Sequence, residues 1–470
     1  MGSLACLQSA SPAQYLLLSY GTNFCLADDT PTDVVNITAV DEQPDICSKC
    51  ICKNGKVDCS SQGLTKFFPQ HKWAALKDFK PTIVDLSNNS FENITVMAEL
   101  PIKVLNLSRC GIEVIQYAAF RPLRKMRVLD LSHNNLRYTP ELINIDVLNL
   151  AYNDLRSFSN VYDIKTEQLT ELDLSGNDMA TTEFAIPYLG WGRTLKILRL
   201  RSCKLTEIRS IFLEHFTNLE YLDISDNLLT RVPKELNLVE KLLYLNINQN
   251  PIRELNINTQ YASYWSPWGR PPRLLRLKEL HICNMPVLTE IGPGALGYVE
   301  NLEKLHLSFN PQLRHISPTA LTRPAKKWEG YEWPMVKELY MKSNALSVVN
   351  PQLLSRWDLL TAIDVSGNPF RCDCETQWMV DVLVPLVDKL KSNASEAMVC
   401  SEPEQMRGFT MRYVREVNRT MRCVYASNKN GAFVTKSLIG VLLAVPIMAA
   451  VILLLKRGSL ALKRATNSDK

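Results

Sequence analysis

The 470-residue chain lacks the short signatures of common enzymes: there is no G-x-S-x-G nucleophile elbow, no H-E-x-x-H zinc helix and no G-x-x-x-x-G-K-[ST] phosphate loop. It also lacks a strong excess of one charge. Its 53 basic and 48 acidic residues give a net +5. Residues 456–470 supply five basic groups (Lys456, Arg457, Lys463, Arg464, Lys470) and one acid (Asp469), so only about +1 remains for the rest, which is not the footprint of a nucleic-acid binder. Long charge-free apolar runs are absent too, with one exception at Ser437–Leu455.

One stretch imitates a nucleotide-binding loop. Gly292-x-Gly294-x-x-Gly297 has dinucleotide spacing and follows the strand-like "KELHI", but such a pattern is weak without its flanking strand, helix and acidic residue. The same register recurs from Ile115, from Ile208 and in part from Ile316 without the three glycines. What repeats is Leu-x-Leu-x-x-Asn. Its last position falls at Asn89, Cys110, Asn134, Asn153, Asn177, Cys203, Asn227, Asn250, Met285, Asn310, Asn344 and Asn368. Most steps are 19 to 26 residues and two are 35 and 34, the period of a leucine-rich repeat.

Each Leu-x-Leu reads as a short strand with leucines inward and alternate residues outward. The expected fold is α/β: a leucine-rich-repeat solenoid of about twelve coils with a parallel β-sheet on its concave face, capped by disulfides at both ends, plus one transmembrane helix. The turn Asn is expected to bond backbone groups of the next coil. Cys110 and Cys203, which replace it, read as buried structural thiols.

Cysteines cluster at both ends of the repeats: Cys47, Cys50, Cys52 and Cys59 before them, Cys372, Cys374, Cys400 and Cys423 after them. Zinc is the weaker reading of such spacing and two disulfides per end the better one. These flanks, with Cys400, Pro403 and Gly408 in "CSEPEQMRGFTM", resemble those of extracellular leucine-rich-repeat type I membrane proteins of the trophoblast glycoprotein, tartan and capricious kind. That resemblance implies the pairs Cys47 with Cys52, Cys50 with Cys59, Cys372 with Cys400 and Cys374 with Cys423. Cys283, outward of its strand's inward pair, reads as a free thiol or an intermolecular bridge.

Ser437–Leu455 is long enough to span a hydrocarbon core, and the basic residues after it place the repeats outside the cell. The expected organisation is 1–27 signal peptide, 28–46 extension, 47–78 N-terminal cap, 79–368 repeats, 369–425 C-terminal cap, 426–436 stalk, 437–455 transmembrane helix and 456–470 cytoplasmic tail. The tail holds no tyrosine and has no room for a Toll-type signalling domain. Glycosylation acceptors are expected at Asn36, Asn88, Asn93, Asn106, Asn393 and Asn418, and a sugar on Asn106 would occupy the N-terminal concave surface.

The central outward strand residues run Asp85, Asn106, Asp130, Asn149, Asp173, Arg199, Asp223, Asn246, His281, His306, Tyr340, Asp364, most simply a solvated face. His281, His306 and Tyr340, beside Glu279, Lys304 and Glu338, suggest a polar contact surface. A metal site made from His281, His306 and Glu279 is the weaker reading, because no recognised ligand spacing supports it, and no metal or cofactor is expected. The two long steps carry "YASYWSPWGRPP" and "RPAKKWEGYEWP", and Tyr264, Trp265, Trp268, Trp328, Tyr331 and Trp333 are candidate contacts of the kind that anchor interfaces. The function expected is non-enzymatic: a plasma-membrane protein binding an extracellular or cell-surface protein in adhesion or recognition. The alternatives are a co-receptor or modulator within its own membrane and an innate immune receptor.

Overall fold

A computed structural model describes residues 45–161, 164–180, 190–255, 274–297, 299–324, 330–391 and 394–423. These fall into two compact units. One is a solenoid within 1–372 joined by Thr376–Arg419; the other combines Asp373–Glu375 with the chain from Thr420.

Alternation along three-residue strands builds the solenoid. In each, the middle residue is inward, as are Val84, Leu105, Leu129, Leu222 and Leu305, all at most 1% exposed, and the flanking residues face out. Fourteen strands form one sheet. The antiparallel hairpin Ile51–Lys53 and Lys56–Asp58 starts it, and the other twelve run parallel from Ile83–Asp85 to Ala362–Asp364. Each buried Leu or Val contributes about 2 kcal/mol by leaving water.

The helical component of the expected α/β class is small. Between strands the described coils use turns, short 3-10 segments, the single-turn helix Ser210–Leu213 and a second small parallel sheet of Glu254–Leu255, Glu290–Ile291 and His315–Ile316. A coil of about 24 residues leaves little length for a regular helix. Gly292, Gly294 and Gly297 lie in the turns after Glu290–Ile291, with no helix following among the described residues, and only Gly294 of the three has a positive φ, 62°.

The turn asparagines are satisfied, but towards the preceding coil rather than the next. Asn134 donates from Nδ2 to Leu107 O at 2.9 Å and Leu131 O at 2.8 Å, while its Oδ1 accepts from the N–H groups of Cys110 and Ile112, both at 3.0 Å. One amide thus satisfies four backbone groups that burial would otherwise leave unpaired. Cys110 and Cys203 are buried, free thiols that donate weakly to Leu86 O and Leu174 O. Burial pushes Cys110 up to about 11 and Cys203 further, which suits inert structural groups.

Both ends of the repeats carry disulfides: Cys47–Cys52, Cys50–Cys59, Cys372–Cys400 and, inside the second unit, Cys374–Cys423. Fully buried Trp73 fills the N-terminal end, edge-on to Phe68, whose carbonyl accepts from its Nε1 at 3.0 Å. Towards the C-terminal end of the solenoid, Met379, Val380, Leu383, Val384 and Val387 are buried along the consecutive segments Met379–Leu383 and Val384–Leu390.

Ser437–Leu455, the expected signal peptide, stalk and tail lie outside the described residues. Among the described residues no helix is long and apolar enough to cross a membrane.

Candidate functional site

Outward residues of neighbouring strands stand side by side, in register, at the spacing of hydrogen-bonded strands. Flat side chains at such a distance stack. The rings of Tyr221 and Tyr244 do so with centroids 4.1 Å apart and planes 5° from parallel. Tyr244 meets His281 at 4.9 Å, tilted 42°. His281 stacks on His306 at 4.1 Å and 8°, and His306 on Tyr340 at 4.7 Å and 19°. At the other end the Arg199 guanidinium lies over Tyr221, 5.3 Å from its ring centre, within cation–π range.

The result is one stripe crossing six strands of the concave face. It spans two register rows: Tyr221 and Tyr244 share a row with Glu279, whereas Arg199, His281, His306 and Tyr340 share the central row with Asp223, Asn246 and Asp364. Tyr221 and Tyr244 escape the sequence reading, which follows the central outward position along the whole sheet and the one before it only beside His281, His306 and Tyr340. Reading the position two residues before it would have shown them.

Polar partners fix the stripe. Glu279 Oε1 is 2.8 Å from His281 Nε2 and 3.6 Å from His306 Nε2. The hydrogen bond to His281, then the His306 ring beside it, holds the Glu279 carboxyl well below the usual carboxylate range, while burial lowers the His281 imidazole. At neutral pH His281 is therefore neutral and donates to an ionised Glu279. Tyr340 donates to Glu338 at 2.9 Å, and Lys304 bridges to Glu338 at 3.0 Å. Burial pushes Tyr340 up to about 12. Glu171 pairs with Arg199.

The central outward column is not a solvated face throughout. Asp130, Asn149, Asp223, Asn246, His281 and His306 are buried because neighbours in register cover one another. Asp130 Oδ1 accepts from the Ser132 N–H at 2.8 Å, yet burial pushes its carboxyl up to about 7.

Cys283 corrects the outward reading more sharply. It is fully buried and disulfide-bonded, to a partner outside the described residues. Alternation stops where the strand ends at His281. Asn248 and Ser308 in adjoining coils are buried as well, and Asn248 Oδ1 accepts from the Cys283 N–H at 2.6 Å.

Of the insertion aromatics, Tyr264, Trp265, Trp268 and Trp328 lie outside the described residues. The second insertion is rooted in a hairpin, Arg323–Pro324 antiparallel to Tyr331–Glu332. Tyr331 is 48% exposed, but Trp333 turns inward to line a small apolar cavity with Leu321, Val336 and Leu353. Among the acceptor asparagines, Asn88, Asn93 and Asn418 are exposed and Asn106 is half-buried on the concave face. Asn36 and Asn393 lie outside the described residues.

Residues 193–252 match the family model described as leucine rich repeat. Those residues are leucine-rich repeats. The chain is 29% identical to Tsukushi of Gallus gallus over 358 residues, 74% of this chain and 82% of that protein. It is 25% identical to Toll-like receptor 8 of Homo sapiens over 293 residues, 60% of this chain but only 23% of the receptor. A solved leucine-rich-repeat protein of Leptospira interrogans aligns with a TM-score of 0.47 at 19% identity, covering 70% of this chain and 81% of that one. The matches also include adenylate cyclase of Schizosaccharomyces pombe, 28% identical over 216 residues, 44% of this chain but only 12% of that protein.

Proposed function

We propose that this is a cell-surface protein that recognises an extracellular or cell-surface protein partner, in adhesion or cell–cell recognition, through the C-terminal half of its concave face. The stripe from Arg199 to Tyr340 carries this reading. Aromatic and arginine side chains held by their neighbours lose little entropy on contact and are the usual energetic centres of interfaces. Ordered ion pairs border the stripe and supply the polar rim. A glycan at Asn106 would close the N-terminal concave surface and direct contact towards this half. In this reading Ser437–Leu455 anchors the chain, and Tyr264, Trp265, Trp268, Trp328 and Tyr331 extend the contact from the two insertions, with Trp333 as their inner support.

The brevity of 426–436 favours a second reading, a modulator of a receptor in the same membrane. Both are tested by displaying the full chain on cells and probing it with a library of surface ectodomains in multivalent form. A partner from opposing cells supports adhesion, and one that coprecipitates from the same cell supports the modulator. Binding by any hit is expected to fall at least about 10-fold in Tyr340→Ala and Tyr244→Ala. If both variants reach the surface normally and bind unchanged, the concave stripe is not the contact.

A further inference from the structure

Three potential metal donors meet within the stripe. Glu279 and His281 are two residues apart on one strand and so share a face, and His306 is in register with His281 on the next strand. One carboxylate oxygen and one nitrogen from each ring all lie within 4.8 Å of one another. Besides its bond to Glu279, His281 has a buried Nδ1 with no hydrogen-bond partner among the described residues, and both ring nitrogens of His306 are buried without one. The two residues are each 3% exposed. Unpaired buried polar nitrogens are costly, so a fold that keeps three of them beside a carboxylate has donors to spare.

Charge at the cluster is negative. Lys304, in register with Glu279, pairs with Glu338 and is also attracted to Glu279, so one cation is shared by two carboxylates. We infer that Glu279, His281 and His306 bind one divalent transition-metal ion of the zinc type on the concave face. Two imidazoles and a carboxylate are a recurrent zinc donor set; calcium and magnesium ask for more oxygens. Three protein donors leave a fourth position for water or a donor from outside the chain. Binding through Nε2 requires the His281 ring proton to move to Nδ1, which is vacant, and requires the two stacked rings to tilt so that their lone pairs converge. This inference does not depend on the proposed protein partner, since the ion alone tests it.

The test is a zinc titration of the full chain in detergent after chelator stripping, followed by calorimetry and by competition with a chromophoric chelator. One equivalent is expected to bind in the wild type and in His133→Ala, a histidine remote from the cluster in sequence. Affinity is expected to fall at least about 10-fold in Glu279→Gln and in His306→Gln. Should His306→Gln fail to fold, Glu279→Gln alone decides, because its side chain is 30% exposed and glutamine keeps its size. No stoichiometric binding by the wild type, or equal binding by the cluster variants and the wild type, would mean an adventitious ion only and would overturn the inference.

Discussion

The ring of Tyr152 lies where a Cβ on Gly176 would have to sit, while its other face stacks on His133 at 4.5 Å. Gly176 also holds a φ of +73°, which an L side chain adopts at a cost of about 1 kcal/mol or more. Gly176→Ala is therefore expected to destabilise by about 2 kcal/mol in urea unfolding. Adding Tyr152→Ala should return the steric part and leave the backbone part. If the two substitutions prove additive, the ring is not the obstacle.

Asp130 predicts a pH dependence. Its carboxyl titrates at about 7 in the folded chain, above an unfolded value near 4. The folded state therefore holds a proton that the unfolded state has released, and this contribution is complete below about pH 4 and lost as pH rises through 7. Asp130→Asn keeps an acceptor for the Ser132 N–H and removes the charge. It is expected to raise stability at pH 7.5 by about 2 kcal/mol and to flatten the slope between pH 4 and 7. Urea melts across that range give the answer, and an unchanged slope counts against the raised value.

The asparagine ladder should be expensive to interrupt. Asn227 donates to Leu200 O at 2.8 Å and Ile224 O at 2.9 Å, and accepts from Cys203 N at 2.9 Å and Leu205 N at 3.0 Å. Asn227→Ala strands these groups in the interior and is expected to cost about 3 kcal/mol or more. Asn89→Ala, at a half-buried site, should cost less. Denaturant midpoints compare them directly.

Replacing both Cys50 and Cys59 by Ser releases the cap that seals the first coil. The closed loop is short, with a sequence separation of 9, so the expected loss is about 2–3 kcal/mol. Faster proteolysis near Ile51 than near Ala362, read by mass spectrometry, is the accompanying signature.

The coils were legible because a solenoid repeats one local solution: each Leu-x-Leu needs only its own alternation to know which side is inward. The readings that failed lie where that alternation ends or where two coils must be compared. Cys283 was placed outward by extending the alternation two residues past His281, where the chain already turns. The turn amides were aimed at the next coil, whereas Asn134 bonds Leu107, Cys110 and Ile112 of the preceding one. His281, His306 and Tyr340 were found from the central column, but their continuation through Tyr244 and Tyr221 shifts by one row and escapes a search along a single column.

The sequence by itself determined the coil number, the parallel register and the faces of the leucines, because these follow from period and alternation within about 24 residues. Only the tertiary structure decided which outward side chains touch. The stripe from Arg199 to Tyr340, the meeting of Glu279 with two histidines and the burial of Asp130 depend on rotamers packed between neighbouring strands. Side chains that are distant in sequence compete there for a few ångströms of space, and no periodicity along the chain records the outcome.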